Sequence, residues 1–169
     1  DTTGGFIENL TGYGKALAGR YDRNHALKAG EFIIVISNSG KNCSPIEIAE
    51  YAKAKGLTVI ALTSITMTQQ VVTTNASGKK LYEVADYTLD NCGFMGDVTV
   101  ELPGRDQSGG PTSTLAGAML INLLQMEILE HLVNNGDPTP LLRSQNTEGA
   151  IEANIELARC YKGRLSKPL

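Results

Sequence analysis

The chain has 169 residues, of which 41% are hydrophobic and 20% charged, with a net charge of -3. That is the length and composition of one globular domain able to bury about 70% of its unfolded-chain surface, and it excludes a disordered chain. No Lys/Arg cluster is longer than Lys79-Lys80, so the basic face that general nucleic-acid binding requires is missing.

The first readable element is Phe32 to Ile36 (FIIVI), a continuous apolar, β-branched run between Gly30 and Ser37-Asn38-Ser39-Gly40. This is the pattern of a parallel strand buried on both faces, with a neighbour on each side. Ser44-Pro45 supplies an N-cap and an N1 proline for a helix ending near Gly56. Thr58 to Leu62 (TVIAL) is a second buried strand, which completes a βαβ unit. Lys79 to Ala85 reads as a short helix, Tyr87 to Leu89 as a third strand and Val98 to Leu102 as a fourth. A Gly-rich connection from Pro103 to Pro111 leads to a run from Thr112 to Val133 that is apolar on most faces. Such a helix is expected to be buried, crossing the sheet and packing on a partner subunit. Leu115, Met119, Asn122, Met126 and Leu129 share one stripe of it. A final helix is expected near Glu148 to Tyr161. The expected class is α/β, a three-layer αβα sandwich with a mainly parallel, doubly wound, flavodoxin-like sheet.

Cys43, Cys92 and Cys160 are widely spaced and form no CxxC pair, which fits reduced thiols in the cytosol and argues against zinc. No secretory leader and no apolar run of about 18 residues free of polar helix positions is read. A cytoplasmic protein is expected, with no cofactor, no metal and no membrane partner. The chain begins at Asp1 rather than Met, which raises the expectation of a processed or truncated form.

Three hydroxyl-rich stretches are the candidates for chemistry. Ser37-Asn38-Ser39-Gly40-Lys41-Asn42-Cys43-Ser44 lies between the carboxyl end of a strand and the amino end of a helix, where open α/β sheets bind anions. It matches neither Walker A nor GxGxxG, so nucleotides are poor ligands for it. The same residues also serve as turn formers and cap. Thr112, Ser113 and Thr114 open the long helix with more hydroxyls than one cap needs. Thr63 and Ser64 follow the second strand and should emerge at the same sheet edge as the first loop.

Taken together, FIIVISNSGKNCSPIEIAEYAKAKGLTVIALTS closely resembles the SIS (sugar isomerase) domain, whose motif is an apolar strand, Ser-x-Ser-Gly, a helix and a second strand ending in Thr-Ser. SGKKLYEVADYTLDNCG, GD and GPTSTLAGAMLINLL resemble a bacterial SIS subfamily, and the likeness runs from Gly12 to about Glu152. The resemblance implies a single SIS domain over residues 1–169, with a sugar phosphate held by Ser37, Asn38, Ser39, Gly40, Asn42 and Ser44. Thr63, Ser64, Thr112, Ser113, Thr114 and Asn122 are expected to complete the ligand set. The chain departs from the family in carrying Asn42 where many have Thr, and Asn75 where the subfamily often has His. SIS domains also open with a helix and a first strand ending in a Gly-rich turn. Nothing before Phe32 looks like that, so the domain is expected to lack this segment.

Aldose–ketose isomerisation needs a base and an acid tuned toward neutrality. Glu47 and Glu101 are the catalytic candidates, although Glu47 also fits a capping box with Ser44. Asp97 is a weaker carboxylate. His25, read as lying in a polar loop, and His131 are expected to be structural, and Glu127 is expected to find a partner in the final helix or a sister subunit. The expected function is therefore a phosphosugar-binding SIS domain, an aldose–ketose isomerase acting as a homodimer or larger. The alternatives are a non-catalytic phosphosugar sensor and a lyase or deaminase acting on an amino-sugar phosphate.

Overall fold

The computed structural model describes residues 2–162, so Asp1 and residues 163–169 of the expected domain lie outside the described residues. Its centre is a parallel three-stranded sheet, β1 (Phe32–Ile36), β2 (Thr58–Thr63) and β3 (Tyr87–Asp90), in the order β1-β2-β3. β1 pairs with β2 from Phe32–Thr58 to Ile36–Leu62, and β2 pairs with β3 from Ile60–Tyr87 to Thr63–Asp90. The βαβ unit is closed by α3 (Cys43–Ala54). Ile46, Ala49 and Ala52 of α3 lie one helical turn apart on one face and meet Val35, Val59 and Ala61 of the strands. Leu81 and Val84 of α5 (Leu81–Val84) close this core.

Two helices precede β1 where the sequence reading placed none: α1 (Thr2–Glu8) and α2 (Tyr13–His25). α2 lies against α3 because Gly14 presents no side chain there. A Cβ at Gly14 would stand 2.3 Å from the carbonyl oxygen of Ser44. Farther along, Tyr51 Oη donates to Asp22 at 2.8 Å, and Lys55 Nζ stands 2.7 Å from the same carboxylate. Lys55, then Tyr51, holds the Asp22 carboxyl below its usual range. His25 is the last residue of α2 rather than part of a loop, and its ring lies 4.2 Å from that of Tyr21.

Other expectations need correcting. β1 is not buried on both faces among the described residues. It is an edge strand whose Phe32 and Ile36 are exposed. Its apolar run faces, in part, a groove of about 710 Å³ lined by Leu17, Tyr21, Phe32, Ile33, Tyr51 and Leu57. The expected fourth strand does not join the parallel sheet. β4 (Val98–Glu101) pairs antiparallel with β5 (Ser108–Pro111), which was read as a connection. The stretch after β2, read as a solvated loop, forms α4 (Ile65–Gln70). The N-cap of α3 is Asn42, not Ser44, which sits inside the first turn.

The long apolar helix is present as α6 (Ser113–Asn135), but burial of it is not what the fold provides. Gly117, whose Cβ position faces Leu62 of β2, is its one buried residue. By length and composition α6 could cross a membrane, which the sequence reading had not granted to any segment. Glu127 and His131 are exposed on it. α7 (Ala150–Cys160) ends the described fold and is tied back by Asn154, which exchanges two 2.8 Å hydrogen bonds with the backbone of Arg143.

Candidate functional site

The loop from Ser37 to Asn42 leaves the carboxyl end of β1 and enters the amino end of α3. Gly40 N–H donates to Ser37 O at 3.1 Å and closes a tight turn, with Gly40 at φ +57°. Only a glycine is comfortable there, both for that φ and because a Cβ would lie 3.0 Å from Thr63 Oγ1 and 3.1 Å from Thr68 Oγ1. The turn is braced from below. Thr63 Oγ1 donates to Asn38 O at 3.1 Å and lies 3.0 Å from Thr68 Oγ1, while Ser64 N–H donates to Asn38 O at 3.0 Å. Asn91 Nδ2 donates to Asn38 Oδ1 at 2.9 Å, and Gly93 N–H donates to Asn91 Oδ1 at 3.0 Å.

Above this support lies a cavity of about 640 Å³ whose polar wall is Glu8, Ser37, Asn38, Ser39, Asn42 and Ser44. The hydroxyls of Ser37 and Ser39 are half-buried and take no protein partner among the described residues. Asn42 is 7% exposed, and its Oδ1 is buried without a hydrogen-bond partner. The first turn of a helix also carries N–H groups that the helix itself cannot pair. Two free hydroxyls, an uncommitted amide and a helix amino terminus thus converge on one space. That is a donor set for an anion.

The structure brings together five of the residues expected to bind: Ser37, Asn38, Ser39, Asn42 and Ser44. Gly40, Thr63 and Ser64 lie beneath them and shape the loop without lining the cavity. Ser64 is the N-cap of α4, accepting from Met67 N–H at 3.1 Å, and donates to Gly93 O at 2.6 Å. Thr112, Ser113 and Thr114 do not line the cavity. The Asp97 carboxylate accepts from the backbone N–H groups of Thr112 and Ser113 at 3.2 and 2.8 Å and from both hydroxyls. Partial burial pushes the Asp97 carboxyl up, but the Ser113 and Thr112 donors outweigh it and hold the group below its usual range. Asn122 is exposed, with Nδ2 donating to Ala118 O at 2.7 Å. Glu101 belongs to a separate depression formed by residues 101–108.

Glu47 faces neither a capping box nor the cavity. Its carboxylate accepts from the backbone N–H groups of Gly12 at 2.6 Å, Gly14 at 2.9 Å and Lys15 at 3.3 Å. It therefore caps the amino terminus of α2 from a neighbouring helix. Sequence reasoning missed Glu8, which lines the cavity, and Asn91, which holds Asn38. Glu8 gave no signal because α1 had not been read as an element. Asn91 gave a faint one, since Asn-Cys-Gly directly follows a strand.

A parallel βαβ unit with a braced Ser-x-Ser-Gly turn at the helix amino terminus defines an α/β protein of the SIS type. The SIS-domain family model matches residues 2–64. A UPF0309 protein of Caldanaerobacter subterraneus subsp. tengcongensis is 42% identical over 147 residues, covering 86% of this chain and 59% of the relative. One of Shouchella clausii is 34% identical over 159 residues, covering 94% and 63%. One of Listeria monocytogenes is 33% identical over 165 residues, covering 98% and 69%. The chain belongs to the UPF0309 family of SIS-domain proteins. It spans about three fifths of the length of the first two of these curated relatives.

Proposed function

We propose that the chain binds the phosphate group of a sugar phosphate in the cavity between the β1–α3 loop and α1. The observation that carries this reading is the set of uncommitted polar groups, Ser37 Oγ, Ser39 Oγ and the Asn42 amide, gathered at the amino terminus of α3. The donors are neutral, as suits a site that must release its ligand, and the cavity of about 640 Å³ leaves room for a sugar beyond the phosphate. Rotating the Asn42 side chain about χ2 would present its N–H₂ group to the anion in place of Oδ1. Ser39→Ala removes one donor from a half-buried contact and is expected to weaken binding by about 1–3 kcal/mol without changing the fold. Isothermal calorimetry across hexose, pentose, heptose and amino-sugar phosphates tests this. Unchanged affinity for the best ligand would take the loop out of the site.

Aldose–ketose isomerisation of the bound sugar is a second reading, favoured by Glu8. Among the described residues it is the one carboxylate lining the cavity. In that reading Glu8 takes the proton from the carbon beside the carbonyl and returns it to the neighbouring carbon, so that no atom is gained or lost. Incorporation of solvent deuterium into a bound sugar phosphate, abolished in Glu8→Gln, is the expected sign. Binding without exchange selects the sensor reading instead.

A further inference from the structure

α6 carries a face that the rest of the described chain does not cover. Leu115, Met119, Met126 and Val133 are 76, 63, 63 and 64% exposed, and they lie on the side of the helix away from Gly117. Together with Asn122 and Leu129 they recur at spacings of four, three, four, three and four residues. That 3.5-residue period is the seam of a helix that pairs with another helix, narrower than the stripe a helix lays on a sheet. The residues from Leu115 to Leu129 also read the same from either end: Leu, Met, Asn, Met, Leu.

We infer that α6 is a self-association helix, and that its occupant is α6 of a second copy of this chain, related by a two-fold axis passing at Asn122. Three features select that occupant. The seam is self-complementary, so a two-fold at Asn122 sets Leu against Leu and Met against Met, as an isologous interface requires. The asparagine amide carries both donor and acceptor, so two copies can exchange Nδ2–H···Oδ1 bonds. Here its donor is turned back on Ala118 O of its own helix. A polar residue at one seam position specifies register and oligomer state in paired helices. Finally, α6 has no Lys or Arg, and its two carboxylates, Glu127 and Glu130, lie off the seam. A helix that lies on an anionic bilayer needs a basic polar face. Neither the loop site nor the identity of its ligand enters into this inference.

The test uses the 169-residue chain with Cys92→Ser and Cys160→Ser, which leaves only the buried Cys43. Adding Asn122→Cys places a thiol on the two-fold axis, and mild oxidation is expected to give a disulfide-linked dimer. Glu127→Cys, exposed but off the seam, is expected to give none. In sedimentation velocity at micromolar concentration the parent chain is expected to be a dimer. Met126→Glu is expected to raise the dimer dissociation constant at least about tenfold by burying a charge at the seam. Because Met126 is exposed within one chain, its circular dichroism and thermal unfolding at matched oligomeric state should stay the same. A monomeric parent, equal cross-linking at positions 122 and 127, or co-sedimentation of the parent with phosphatidylcholine vesicles in place of dimer formation would overturn the inference.

Discussion

Replacing Glu47 separates a structural carboxylate from a catalytic one. The side chain reaches from α3 to three backbone N–H groups at the start of α2, at 2.6, 2.9 and 3.3 Å, from a position that is itself buried. A hydrogen bond to a charged acceptor contributes about 1.5–3 kcal/mol. The three share one carboxylate and the longest is weak, so Glu47→Ala is expected to cost about 3 kcal/mol, close to two bonds at the low end of that range. Glu47→Gln keeps one acceptor oxygen but turns an N–H₂ group toward backbone donors, and is expected to cost about half as much. With a urea m-value of about 2 kcal/mol/M, the alanine variant's midpoint falls by about 1.5 M. Amide exchange should accelerate at Gly14 and Lys15 before it does at Val59 in the central strand, because α2 detaches first. A base acting on substrate would show the opposite pattern, lost turnover at unchanged stability. Wild-type urea midpoints for both variants, with unaltered exchange at Gly14, would refute the assignment of Glu47 to α2.

Gly14→Ala puts a methyl group 2.3 Å from Ser44 O and 2.7 Å from Ser44 Cα, both rigid backbone. The helices must part, and a loss of at least about 2 kcal/mol in urea unfolding is expected even though alanine is the better helix former. Asp97 provides a pH-dependent tie. Its folded pKa lies below the model value of 3.8, so its contribution is present above that value and is lost as pH falls through the folded pKa. Limited proteolysis between β5 and α6 should therefore rise on acidification into that range, and Asp97→Asn should show the raised cleavage already at neutral pH. A wild-type cleavage rate that stays flat down to pH values where the protein is otherwise folded would remove Asp97 from this role.

The segment from β1 through the Ser-x-Ser-Gly loop and α3 to β2 was legible because each signal agreed with the next. β-branched runs stop at small residues, and an apolar helical stripe ends at Gly56. The helices before β1 were harder to read. Leu10, Tyr13, Leu17 and Tyr21 do recur at helical spacing, but Gly4, Gly5, Gly12, Gly14 and Gly19 depress the local propensity. Contact with α3 decides the matter there. β5 is Ser-Gly-Gly-Pro, with almost no side chain to declare a strand, and it exists because β4 supplies its backbone partners. Hydroxyl counting overstated the site for a related reason. At Thr63, Ser64, Thr112 and Ser113 the sequence shows a donor but not whether a carbonyl or carboxylate already holds it, and in each case one does.

The two tasks of α3 are linked by charge. A carboxylate at Glu47 sits little more than one helical turn from Asn42, at the end of the helix where an anion is proposed to bind, and an uncompensated negative charge there would repel it. That charge is met by the amino terminus of α2, whose N–H groups at Gly12, Gly14 and Lys15 bring the positive end of a second helix dipole onto the carboxylate. The amino terminus of α3 is thereby left to face the cavity. The same docking seats the Ser44 backbone against Gly14 and brings Ser44 Oγ within 3.4 Å of Ile7 O, next to Glu8 on the cavity wall. Glu47 is thus a positioning residue for the site as well as a cap, because α1 and α2 supply one wall of the cavity only while they stay docked.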